Sequence, residues 1–178
     1  SETGFQFDYV SVNVSGIQLR QQDFAELVLD IANQNNIKPE LVEIEITEST
    51  FMDSSEKNIM ILTKLKEWGF RIALDDFGTG YSSLYYIKQL PIDTVKLDQT
   101  LIQNISNIND DEVILKSLIK LAHELNLEVV AEGIETIEQL EVLKKYKPRF
   151  SGYEVYANDP AEVKSPQELI TWLMIPVE

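Results

Sequence analysis

Asp75 and Asp76 close the apolar run FRIAL and are followed by Phe-Gly-Thr-Gly. Two carboxylates side by side at the mouth of a buried strand disfavour each other's ionised form unless cations sit between them. Taken alone, such a pair has an ordinary use in a turn or a helix N-cap. Similar groups recur, however, at the ends of the other β-like runs. Asn13 stands in YVSVNVS, Glu45 in LVEIEIT with Glu48 one turn on, Lys96 and Asp98 in DTVKLD, and Glu132 with Glu135 in and after LEVVAEG. Each has a plain explanation as a turn residue, a solvated face, a local ion pair or a residue ahead of a helix cap. Those explanations would have to hold at five successive strand ends. Oxygen donors with one lysine at converging strand ends suit instead two hard cations that clamp a phosphodiester and activate a water. The chain has no Cys and a single His. Thiolate metal sites and disulfides are thereby excluded, and Asp, Glu and Asn donors favour Mg²⁺ or Mn²⁺.

The elements that must position these groups read as alternating β and α. Six short β-rich runs, Tyr9 to Ser15, Leu41 to Thr47, Phe70 to Asp76, Asp93 to Asp98, Leu127 to Gly133 and Phe150 to Tyr156, are separated by helical patterns, which implies parallel strands with crossover helices. One stripe, Phe24, Leu27, Val28 and Ile31, and another, Ile114, Leu118, Leu121, Ala122 and Leu125, have the spacing of helix faces packed on a sheet. Thr136 with Gln139, and Ser165 with Glu168 after Pro166, have capping-box spacing. Gly69 closes the helix that precedes Phe70. Trp68 and Trp172 are expected to pack from helices.

The fold class is α/β. Six β/α units in 178 residues are too few for a complete (β/α)₈ barrel of about 250 residues, so an incomplete TIM-like barrel lacking its first two units is expected. Catalytic groups of such barrels gather at the C-terminal ends of the strands, where the candidates stand. No linker or repeat divides the chain, and one domain over 1–178 is expected. Missing strands leave unpaired edges at Tyr9 to Ser15 and Phe150 to Tyr156, which predicts a homodimer, edge-mediated self-association, or cover by a terminal segment.

Composition narrows the partners. A content of 44% hydrophobic residues with mean hydropathy -0.13 fits a globular domain. A net charge of -15 opposes binding of long nucleic acid, whose phosphates this surface repels, while a small phosphorylated ligand can still bind beside divalent ions. No apolar run reaches the ~20 residues of a membrane span, and the first residues lack a signal-peptide pattern. No membrane contact by this domain and a cytoplasmic location are expected.

The segments SVNVS, EIEITES, IALDDFGTGYSSL, LPIDTVKLDQ, VVAEGIET and SGYEVYANDP, in this order over nearly the whole chain, resemble the successive motifs of the EAL domain, the bacterial cyclic di-GMP phosphodiesterase family. The resemblance implies a (β/α)₈-like barrel that hydrolyses cyclic di-GMP to linear pGpG with Mg²⁺ or Mn²⁺. It implies that Asn13, Glu45, Asp75 and Asp76 ligate metal, that Lys96 holds the attacking water, and that Glu132 orients or deprotonates it. By the same resemblance Glu135 supports the loop after Asp76, while Asp98 and Ser151 support the site.

The chain departs from the family pattern in three places. The Glu-Ala-Leu signature, whose Glu is a metal ligand and whose nearby Arg holds phosphate, does not occur in these 178 residues. Gln-Gly-Tyr is replaced by Ser151-Gly152-Tyr153, one residue closer to Glu132, and the aromatic that follows the Asp98 motif is Leu101. Two functions are compatible with this pattern. One is a phosphodiesterase whose N-terminal part lies outside the chain, with these residues alone inactive or weakly active. The other is a degenerate module that binds cyclic di-GMP or a protein without cleaving it.

Overall fold

The computed structural model describes residues 8–52, 56–78, 87–103, 105, 109–146, 155–157 and 171–177. The chain divides into two compact units, Ser1–Val95 and Lys96–Glu178.

In the first unit, β1 (Val10–Asn13), β2 (Val42–Thr47) and β3 (Arg71–Phe77) run parallel, with Val12 opposite Ile44 and Ile44 opposite Ile72. Short helix α1 (Gly16–Leu19) and helix α2 (Phe24–Gln34) lie between the first two strands, and α3 (Glu48–Met52) and α4 (Glu56–Glu67) between the next two. β2 puts Glu43 and Glu45 on one face and Ile44 and Ile46 on the other, because successive side chains of a strand alternate. All four are buried, with Leu19, Leu62, Leu65, Ile72 and Leu74 completing the apolar side. Strand β4 (Thr94–Leu97) begins here: Asp93 N–H donates to Ile72 O at 2.8 Å, and the Asp93 carboxylate accepts from Ile72 N–H and faces Lys66 Nζ at 3.0 Å.

Helix ends in this unit are set by left-handed residues. Gly69 (φ 97°) ends α4 with Phe70 N–H bonded to Leu65 O and Gly69 N–H to Lys66 O, as expected, and Asn36 (φ 55°) ends α2 with the same pair of bonds. The buried face of α2 differs from the expected stripe. Phe24, Ala25 and Ala32 are buried whereas Leu27 and Ile31 are half-exposed. The helix carries apolar residues on two adjacent stripes, and the one bearing small alanines is turned inward.

In the second unit, α5 (Gln99–Gln103), α6 (Asn109–Glu124), β5 (Glu128–Ile134), α7 (Ile137–Lys144), β6 (Val155–Ala157) and β7 (Thr171–Val177) follow the end of β4. Leu97, Ile102, Leu115, Ile119, Ala122, Val129, Ala131 and Leu143 are buried, and the α6 face is turned so that Ile114 is half-exposed. Asn126 (φ 58°) ends α6 ahead of β5, and Thr136 with Gln139 forms the expected capping box at α7.

β7 pairs antiparallel with β5, Val129 opposite Val177, and antiparallel with β6, Val155 opposite Leu173. Two expectations are corrected here. The last β run does not continue the parallel series beside β5, and the segment containing Trp172 is strand, not helix. Thr, Trp, Ile and Val in TWLMIPV favour a pleated backbone, and Pro176 would break a helix interior. In β7 it stands beyond the residues that pair with β6, where its missing N–H is tolerated on that side. The proposed cap at Ser165, Pro166 and Glu168 lies outside the described residues.

Candidate functional site

β2 positions the Glu45 carboxylate toward its C-terminal end. Glu45 is opposite Asn13 on one side and Ala73 on the other. Asp75 lies on the same face of β3 as Ala73, one step further along, opposite Thr47. Asn13, Glu45 and Asp75 therefore form a diagonal series of oxygen donors across three adjacent strands. Glu45 is buried, Asp75 half-buried and Asn13 exposed.

Asp76 continues β3 in the left-handed region, at φ 57°, and its N–H donates to Asp75 Oδ1 at 3.0 Å. A left-handed residue breaks the alternation of the pleat, and Asp tolerates that conformation better than most residues. The hydrogen bond uses one Asp75 oxygen and fixes its carboxylate against the backbone turn. The loop after Asp76 is held by Glu48, whose Oε2 accepts Gly78 N–H at 3.3 Å. Glu48 begins α3 and is buried, and its Oε1 accepts no hydrogen bond from the described residues. Glu48, three residues after Glu45, thus holds the start of this loop, a contact that the sequence reading does not assign to it. Of the Phe77 to Ser83 loop, residues 79–83 lie outside the described residues.

In the second unit, Lys96 Nζ and Glu132 Oε1 are 2.6 Å apart. Lys96 is buried on β4 and Glu132 half-buried on β5. Asp98 serves as a local cap: its Oδ1 accepts Thr100 N–H at 2.8 Å and the Thr100 hydroxyl, at the start of α5. Glu135 is exposed, and its N–H is bound by Gln139 Oε1 at 2.7 Å. Ser151 lies outside the described residues.

Among the described residues no three Asp, Glu or His side chains are gathered closely enough to hold a cation. The donor chemistry nonetheless fits a hard divalent ion. Asn13, Glu45 and Asp75 can each offer side-chain oxygen, and the buried Glu48 Oε1 is a carboxyl oxygen with no donor among the described residues. Below this series, toward the strand starts, stands a second polar layer. Glu43 Oε2 accepts from Thr94 Oγ1 at 2.9 Å and from Arg71 Nε at 3.3 Å, its Oε1 accepts from Ser11 Oγ at 3.1 Å, and Arg71 Nη2 donates to Thr94 at 3.2 Å. The Tyr9 ring covers the Arg71 guanidinium at 4.5 Å. Burial pushes the Glu43 carboxyl above its ordinary value, opposed by these donors and by the charge of Arg71. No helix among the described residues is long and apolar enough to cross a membrane.

Comparison with known proteins gives one family over most of the chain: the EAL domain model matches residues 2–151. The bifunctional diguanylate cyclase/cyclic di-GMP phosphodiesterase MucR of Pseudomonas aeruginosa is 37% identical over 136 residues, 76% of this chain and 20% of that protein. Among solved structures, the PaMucR phosphodiesterase in complex with c-di-GMP superposes with a TM-score of 0.73 at 36% identity, over 77% of this chain and 56% of that one. Klebsiella pneumoniae BlrP1, solved as a manganese/cy-diGMP complex, gives 0.71 at 28% identity, over 76% of this chain and 35% of that one. The chain spans 17% to 20% of the length of the first two curated relatives it matches. The fold class is accordingly α/β, an incomplete TIM-like barrel that matches part of each of these neighbours. With its Asp-Asp-Phe-Gly-Thr-Gly sequence, which begins at the end of β3, its Lys96–Glu132 pair and the family match over residues 2–151, the chain belongs to the EAL domain family.

Proposed function

We propose that this chain supplies the catalytic half of a phosphodiesterase that hydrolyses cyclic di-GMP to linear pGpG. The contact that carries the reading is Lys96 Nζ to Glu132 Oε1 at 2.6 Å. A buried ammonium beside a carboxylate is a preorganised holder and acceptor for a water that must lose a proton. In this reading Asn13, Glu45, Asp75 and Asp76 hold Mg²⁺ or Mn²⁺, Lys96 holds the attacking water, and Glu132 orients or deprotonates it. The ions would neutralise charge on the phosphodiester and lower the pKa of that water. Glu48 supports the loop after Asp76, the task its bond to Gly78 already performs. Ser151 and Asp98 remain in supporting positions only.

The 178 residues lack the Glu-Ala-Leu motif. Loss of one preorganised electrostatic contact commonly costs on the order of a hundredfold in rate. The expected result of a pGpG product assay with Mg²⁺ or Mn²⁺ is therefore little or no turnover by 1–178. A version extended upstream by a Glu-Ala-Leu strand should turn over, and Glu132→Ala should abolish that activity. No turnover by the extended chain favours the second reading, a module that binds cyclic di-GMP or a protein without cleaving it. Ser151 in place of the family's Gln is the observation on its side. The reading carries with it a cytoplasmic location and self-association through β1, where Val10 and Val12 are 51% and 45% exposed. A strict monomer by light scattering counts against that association.

A further inference from the structure

Glu43 lies one inward step before Glu45 on β2. Its single carboxylate gathers donors from three other strands: Ser11 of β1, Arg71 of β3 and Thr94 of β4. Each donor is in register with the positions above it. Ser11 precedes Asn13 on the same face, and Arg71 precedes Ala73 and then Asp75. Ala73, opposite Glu45, has no polar group with which to fix it. We propose that Glu43 is a positioning residue for a divalent cation, locking three parallel strands so that Asn13, Glu45 and Asp75 are presented at fixed spacing. The inference rests on the metal reading proposed above and adds to it a residue that touches neither ion nor substrate. The geometry demands such a lock. Mg²⁺ and ions of its size require near-octahedral oxygen ligands at about 2.0–2.1 Å, and a working site tolerates misplacement of only about 0.5 Å. Ligands borne on separate strands meet that tolerance only if the strands cannot slide.

The alternative is that the clamp stabilises the fold and nothing more, and metal affinity separates the two. Calorimetric titration of the 178-residue chain with Mn²⁺ alone, well below each variant's unfolding temperature, compares wild type with Glu43→Gln, Thr94→Val, Leu62→Ala and Asp75→Asn. Outer-shell partners of metal ligands are worth roughly 10- to 100-fold in affinity. Glu43→Gln should weaken Mn²⁺ about tenfold, the low end of that range, and Thr94→Val should weaken it less. Leu62→Ala, which removes a fully buried core side chain elsewhere in the same unit, should leave affinity unchanged despite its lower stability. If Glu43→Gln cannot be obtained folded, Thr94→Val decides alone. Wild-type affinity in the folded clamp variants, or an equal loss in Leu62→Ala, overturns this inference. Mn²⁺ binding that is absent from wild type, or indifferent to Asp75→Asn, overturns the metal reading and the inference with it. Loss in Asp75→Asn together with wild-type affinity in Glu43→Gln overturns the inference alone.

Discussion

Glu43 and Glu48 are five residues apart, on β2 and directly after it, and are equally withdrawn from solvent, at 2% and 1% exposure. Their surroundings differ completely. Glu43 accepts from two hydroxyls and a guanidinium, whereas Glu48 accepts one backbone N–H at 3.3 Å and keeps an oxygen that has no donor among the described residues. Buried polar atoms are normally satisfied, so an exception needs an explanation. At the start of a parallel strand burial serves stability, and at its C-terminal end it serves chemistry. Glu43 is built to stay where it is, and Glu48 to hold a loop with capacity to spare.

The largest expected consequence of that contrast is in Glu43→Ala. Breaking a fully buried ion pair costs about 3–5 kcal/mol. Arg71 keeps partial exposure, so a loss of about 3 kcal/mol in urea-unfolding free energy is expected. Thr94→Val removes one neutral donor from the same carboxylate and should cost about 1 kcal/mol by the same measurement. Glu48→Gln is expected to change stability by no more than about 0.5 kcal/mol, in either direction, because little is lost where little is satisfied. A loss in Glu48→Gln as large as that in Glu43→Ala would erase the contrast.

The finest test is a slope against pH. Burial is the first cause of the raised Glu43 value, with the Thr94 and Arg71 donors opposing it. A carboxyl raised in the folded state favours folding most when protonated. Its contribution is complete below the ordinary 4.5 and is lost as pH climbs through the raised folded value. The stability of wild type relative to Glu43→Gln, which does not titrate, should therefore fall as pH rises from about 4 toward neutrality. A difference that grows with pH would show that the donors outweigh burial.

Much of this was legible in the residues. Five β runs, the Gly69 helix stop and the Thr136–Gln139 cap follow from patterns that are local in sequence, and β1 to β5 appear where those patterns place them. Lys96 and Glu132, 36 positions apart, stand out in the sequence as polar groups at successive strand ends, and their ion pair is added by the structure. What was not legible depends on partners distant in the chain. TWLMIPV can be read as a helix face until β5 and β6 offer it backbone partners. The buried side of α2 depends on which of two apolar stripes the sheet accepts. Asn36 and Asn126 end helices as Gly69 does, but Asn is a weaker stop signal than Gly. Glu43 looked like one more acid in an alternating run, because its donors Ser11, Arg71 and Thr94 are 28 to 51 positions away.

The left-handed backbone at Asp76 changes what mutagenesis there can mean. An alanine at that position would remove a carboxylate and also place a Cβ-bearing residue with no local polar compensation at φ 57°, a conformation costing roughly 1 kcal/mol or more for such residues. Any deficit in Asp76→Ala therefore mixes a lost charge with a distorted turn, and the distortion reaches Asp75 through the N–H bond they share. Asn accepts the same backbone and keeps the side chain's shape, removing the charge and exchanging one acceptor oxygen for an amide donor. Removing the Asp75 side chain breaks the same bond from the other end, so at both positions the amide replacement is the one that best separates the charge from the shape of the chain.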